Sequence, residues 1–222
     1  MSNKEHIEEI IKQTFFRLDK AYQNQREGLN KSLTHIKGES RIVFPCYGER
    51  RDNEIRISEQ ELRFAFVEAF NTYCDEKNLK IFYSIETPTR DTYSGFANKK
   101  EKPKPDHNGR SAEFDLVIYD EHLNRIGLVE FKALNADEHD HWKDFVKLNN
   151  VEEGGKDVLR YFIEVIKTYT EGGEKSTIKS LQGKLEHNID LKASFFCYAL
   201  EGKSTRGNNT PTGDKNISNR FQ

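Results

Sequence analysis

Asp115, Glu130 and Lys132 place two carboxylates and an ammonium group in two otherwise apolar segments, EFDLVIY (113–119) and IGLVEFKA (126–133). Both segments read as β-strands, and the short turn Asp120-Glu121-His122-Leu123-Asn124 makes them a hairpin. Side chains alternate between faces along a strand, so Glu130 and Lys132 share one face while Phe131 takes the other. A buried strand rarely carries a carboxylate without a reason. Two carboxylates about 4 Å apart repel by about 4 kcal/mol at an effective dielectric near 20. One lysine offsets part of that repulsion, and a divalent cation offsets all of it. Carboxylate oxygens are the hard ligands that Mg²⁺ (or Mn²⁺) takes one or two at a time, together with water and phosphate oxygens. The expected chemistry is phosphodiester hydrolysis. Asp115 and Glu130 would hold the metal, and Lys132 would position the attacking water or stabilise the developing negative charge. The plainer reading is an inward salt bridge between Lys132 and one of the carboxylates.

These residues need a sheet and helices to hold them. Residues from about Glu5 to Tyr22 repeat Ile7, Ile10, Ile11, Phe15 and Leu18 at helical steps, which predicts an amphipathic helix packed on the outside of the domain. Connecting structure follows, with an extended piece at Arg41 to Phe44. Ser58 caps a second helix, with Glu59 and Glu61 in its first turn and Leu62, Phe66, Ala69 and Tyr73 on its apolar stripe, running to about Glu76. Lys80 to Glu86 predicts a strand before a long polar loop. After the hairpin, Val158 to Tyr169 predicts a buried helix, and Ala193 to Leu200 a continuous apolar strand. The fold class is α/β, with a central mixed sheet of about four strands flanked by helices. Residues 1–200 form one domain with an N-terminal helical extension, and 201–222 form a flexible tail.

The order D-x14-E-x-K across a hairpin, after a glutamate-bearing helix and a strand, resembles the PD-(D/E)xK nuclease superfamily, with Phe114 where the motif proline stands. The resemblance spans roughly Ser58 to Ala133. It implies a restriction-endonuclease-like core, a metal-dependent nuclease acting on nucleic acid, and DNA as the expected substrate. It also implies that a helix before the sheet supplies a further glutamate near the metal. Glu59, Glu61 and Glu68 are the candidates, and Glu59 is preferred to Glu61 because it extends the stripe of Leu62 and Phe66. A homodimer is expected on this reading, since cutting two strands generally needs two active sites. The rival reading is a nucleic-acid-binding or interaction protein that keeps the fold without cutting.

The remaining signals bound the function rather than name it. The chain has 222 residues and a formal charge of -2, so there is no global basic signal for nucleic acid. Locally, Arg90 to Arg110 carries a balance of +3 and Ser111 to Asp140 a balance of -6, the order expected where phosphates meet cations. Lys99, Lys100, Lys102 and Lys104 could follow a phosphate backbone, with Tyr93 and Phe96 available for stacking. No apolar run approaches a membrane span, and three scattered cysteines support neither disulfides nor a cysteine zinc site, so a cytoplasmic setting is expected. His139-Asp140-His141, with Asp137 and Glu138, lies in a polar stretch and reads as a solvated loop or helix start, the zinc-binding regulator being the remoter rival. Trp142 reads as a core anchor.

Overall fold

The computed structural model describes residues 1–28, 32–37, 39–48, 54–97, 100–133, 138–168 and 193–201. Of the proposed tail at 201–222, Glu201 ends the last strand, and 202–222 lie outside these residues, as do Lys99 and Asp137. Helices α1 (Asn3–Gly28) and α2 (Glu59–Lys77) precede strands β1 (Phe82–Ser94), β2 (Lys104–Pro105), β3 (Arg110–Tyr119) and β4 (Arg125–Ala133). Helix α3 (Glu138–Asn149), a single 3₁₀ turn (Val151–Glu153), β5 (Leu159–Thr168) and β6 (Ser194–Glu201) follow. The fold is α/β, and its mixed sheet has six strands in the order β2-β1-β3-β4-β5-β6, two more than the sequence suggests. Pairings are antiparallel from β2 through to β4 and parallel for β4-β5 and β5-β6.

One of the added strands corrects an expected helix. The expected helix from Val158 to Tyr169 is not one over its described residues: Leu159–Thr168 is β5, lying between β4 and β6, and Tyr169 lies outside them. Its Tyr161, Ile163 and Val165 face one apolar layer, while Phe162 and Ile166 face the other. A strand covered on both faces loses its period-two pattern, and an apolar run of this length then reads equally well as a buried helix. Its content of Tyr, Phe, Ile, Val and Thr is the residual β signal. The other addition is β2, a two-residue strand within the expected polar loop, pairing Lys104 with Ser94 at the end of a β1 longer than anticipated.

Helices α1 and α2 cover one face of the sheet, and α3 covers the other. α1 is an integral layer of the core: Ile7, Ile10, Ile11 and Leu18 are fully buried, and Phe15 stacks on Tyr198 of β6 at 5.1 Å. The first turn of α2 is closed by Glu61, whose carboxylate accepts the Ser58 backbone N–H at 2.8 Å. Its last turn ends at Asn78 in the left-handed region, φ 52°. Phe66 of α2 packs edge-on to Phe131 of β4, 5.3 Å between ring centres, which turns Glu130 and Lys132 to the α3 face.

On that face α3 is seated by Phe145 and Leu148, which join Phe114, Leu128, Phe162 and Phe195. Trp142 is only half-buried and is not the anchor; Lys102 of the β1–β3 loop sits over its ring at 4.6 Å. His139 contacts the Gly95 carbonyl at 2.8 Å, so the loop after β1 leans on the start of α3. The outer half of β1 is tied down by Glu153, which is fully buried. Its carboxylate accepts the backbone N–H groups of Arg90 (2.8 Å) and Asp91 (3.1 Å) and the Tyr93 hydroxyl (2.6 Å), and pairs with Arg125 at 3.5 Å. No helix among the described residues is long and apolar enough to cross a membrane.

Candidate active site

The β3–β4 register runs from the turn as far as Leu116 opposite Val129, and the strands part at Asp115. There Asp115 replaces the ladder with its side chain: Oδ2 accepts the Phe131 backbone N–H at 2.7 Å. Its other oxygen accepts from Nη2 of Arg63 on α2 at 2.6 Å, while Nη1 of the same guanidinium reaches the exposed Glu86 at 3.1 Å. Both Asp115 oxygens are therefore held, one by the backbone of the E-F-K segment and one by a helix. β3 stays with β1 beyond this point while β4 stays with β5, and a cleft of about 350 Å³ lies against the outer part of β3, walled by α2 and α3. Arg63, Phe96, Asp115, Lys143, Asp144 and Lys147 are among its walls.

Lys132 reaches two carboxylates, Oδ2 of Asp144 on α3 at 2.8 Å and Oε1 of Glu59 on α2 at 3.4 Å. Glu130 is buried and meets Nζ of Lys147 at 2.5 Å. Lys147 also contacts Asp144 at 3.1 Å and donates to the Glu113 carbonyl at 2.7 Å. The structure thus brings Glu59, Asp115, Glu130 and Lys132 to one end of the sheet. Of the other glutamates on α2, Glu61 is occupied by the helix cap, and Glu68 makes no ion pair with this cluster among the described residues. Arg63, Asp144 and Lys147 complete the site, and sequence reasoning missed all three. Their signals were present: Arg63 lies one turn after Glu59 on the same side of α2, and Asp144 and Lys147 interrupt the apolar Phe145-Leu148 seat at three-residue steps.

The electrostatics follow from four carboxylates facing three cations with little water. Burial pushes the Glu130 carboxyl well above its usual range; Lys147 opposes the rise, and Asp144 and Asp115 add to it. Burial also raises Glu59, Lys132 opposing and Asp115 reinforcing the shift. Asp144 goes the other way: burial would raise it, but Lys147 and Lys132 hold it below the ordinary carboxylate value. For Lys132, burial favours the neutral amine, yet Asp144, Glu59 and Glu130 outweigh it and keep the ammonium charged. Lys132 is therefore a charged donor rather than a proton acceptor.

Asp115 and Glu130 carry hard oxygens of the kind Mg²⁺ takes, and each already meets a cation, Arg63 or Lys147. Among the described residues no group of three or more His, Cys, Asp or Glu side chains is arranged to hold an ion. An ion at this pair would complete its shell with water or substrate oxygens. Two expectations are corrected. Tyr93 is buried, its hydroxyl held by Glu153 and its ring stacked on Phe96 at 5.0 Å, so it is not available for stacking, while Phe96 lines the cleft. The His139–His141 segment is a helix start, as expected, in the first turn of α3, but His141 itself is buried rather than solvated, 3.6 Å from Glu164 of β5.

The chain matches no family model, no curated protein and no solved structure.

Proposed function

We propose that this protein is a metal-dependent nuclease that hydrolyses phosphodiester bonds of nucleic acid, with DNA the expected substrate, on a restriction-endonuclease-like core. The observation that carries this reading is the parting of β3 and β4 at Asp115, which lines a cleft together with Arg63, Asp144 and Lys147, the last two in contact with Lys132 and Glu130. A divalent ion bound by Asp115 and Glu130 would polarise the scissile phosphate and lower the pKa of a bound water. Lys132, fixed by Asp144 and Glu59, presents a charged ammonium for the developing negative charge. Glu59, more exposed than Asp115, Glu130 or Lys132, can accept a hydrogen bond from the attacking water. Arg63 orients Asp115 and lines the cleft, where a phosphate would meet it.

One observation favours a second reading. Both metal-holding carboxylates already have cationic partners, Arg63 on Asp115 and Lys147 on Glu130, as in a protein that binds nucleic acid without cutting it. Incubation of the full chain with circular DNA, linear DNA and RNA, in Mg²⁺, Mn²⁺ or chelator, separates the two readings. Metal-dependent cleavage of a nucleic acid supports the nuclease. Retention of every substrate intact, with binding preserved in chelator, supports the binding protein. A circle that stays intact while linear DNA shortens assigns an exonuclease.

A further inference from the structure

Three charged or polar side chains of α3 lie along its buried face at three-residue steps, and each meets an opposite partner on the sheet. His141 faces Glu164 of β5 at 3.6 Å, Asp144 faces Lys132 of β4 at 2.8 Å, and Lys147 faces Glu130 of β4 at 2.5 Å. The partners are themselves in register, Lys132 being paired with Glu164 across the parallel β4-β5 ladder. The Lys147 rung differs from the other two in touching both a carboxylate proposed to hold metal and the open cleft. Its side chain is 7% exposed, it lines the cleft wall, and it is anchored by Asp144 and the Glu113 carbonyl as well as by Glu130.

We infer that Lys147 is a resident cation at Glu130 which a divalent metal must displace, so that loading of the site is a competition between the metal and this ammonium. The inference rests on the nuclease reading and deepens it by naming what regulates metal entry. The physical argument is exclusion. Mg²⁺ takes a carboxylate oxygen at roughly 2.0–2.1 Å in near-octahedral geometry, and an ammonium held against the same oxygen repels it. The Oε1 of Glu130 has Lys147 Nζ at 2.5 Å, so metal at that oxygen and ammonium at that oxygen are alternatives. Asp144, 3.1 Å from the same ammonium, remains to hold Lys147 when it leaves Glu130, and the adjoining cleft gives the chain room to turn. The same arrangement gives the metal-free protein a neutralised Glu130 and explains how a buried carboxylate can persist there without an ion.

The test is calorimetric titration of Mn²⁺ into the full chain without substrate, comparing wild type, Lys147→Met and Lys143→Met. Lys143 borders the same cleft but pairs with Asp140, at 2.7 Å, so its loss reports the general effect of removing one positive charge. Lys147→Met should bind Mn²⁺ at least about tenfold more tightly than Lys143→Met. Equal or weaker binding by Lys147→Met overturns the inference. A second measurement uses only wild-type protein: reductive methylation read by mass spectrometry should modify Lys147 faster with saturating Mg²⁺ than in chelator. An unchanged rate for Lys147 also overturns it. If wild type takes up no Mn²⁺, the metal-dependent reading and this inference fall together. Mn²⁺ uptake by wild type with no advantage for Lys147→Met removes the inference alone.

Discussion

Lys132→Met separates the structural role of this lysine from its chemical one, because the structure fixes the size of each. The ammonium bridges Asp144 at 2.8 Å and Glu59 at 3.4 Å, with 12% of the side chain exposed. Breaking a buried ion pair by removing one partner costs about 3–5 kcal/mol. Here the low end applies: Asp144 keeps Lys147 at 3.1 Å, and Glu59, 38% exposed, regains water. A loss of about 3 kcal/mol lowers Tm by about 6–12 °C in a domain of this size, and leaves it folded against a typical stability of about 5–15 kcal/mol. Thermal unfolding in chelator measures that loss. On the folded variant, nucleic-acid hydrolysis should drop by about 10²- to 10⁴-fold. A Tm change below about 2 °C would refute the buried bridge. A folded Lys132→Met protein that cuts at the wild-type rate would refute the chemical role.

Other expectations follow from named contacts. Glu59 has a folded pKa raised above 4.5, by burial first and despite Lys132, so its ionisation opposes folding and wild-type stability is lost as pH rises from 4.5 through the folded value. The Tm of Glu59→Gln relative to wild type, measured in chelator, should therefore increase over that window, and a pH-independent difference would contradict the shift. Glu153→Ala leaves the Tyr93 hydroxyl and two backbone N–H groups of β1 without their acceptor and takes the carboxylate partner from Arg125, and should lower stability by about 3–5 kcal/mol in denaturant titration. A loss under about 1 kcal/mol would show that β1 is held without it. Reversal of Lys102 and Lys104 to Glu should weaken nucleic-acid binding and reduce its salt dependence, because fewer counterions are released. An unchanged slope of affinity against salt would remove this loop from the interface.

Strand alternation makes one part of the site legible in the sequence. Glu130 and Lys132 share the α3 face because Phe131 between them packs on Phe66, as a period of two requires. Glu59 can be chosen because it extends a helical stripe and Glu61 belongs to the cap. What escapes is information held in tertiary pairing. β5 is apolar on both faces, and a strand of that kind carries no period to distinguish it from a helix. Asp144 and Lys147 are charged, and a charge in a polar-looking segment reads as a solvated face until its partner across the layers is known. His141 reads as solvated for the same reason, its surroundings being supplied by Glu164 and Phe162 of a strand 20 residues and more away. Arg63 has a position on the right side of α2 but no partner nearby in sequence, since Asp115 lies 52 residues further on.

Asp115 and Glu130 are proposed to hold a divalent ion for phosphodiester hydrolysis, and single-turnover cleavage of DNA across an Mg²⁺ titration tests that most directly. Wild type should show a rate that rises with Mg²⁺ and saturates. Asp115→Asn and Glu130→Gln, each verified as folded, should lose that dependence and at least about 10²-fold in rate. Cleavage that persists in chelator, or that Asp115→Asn performs with the wild-type dependence on Mg²⁺, would contradict the account.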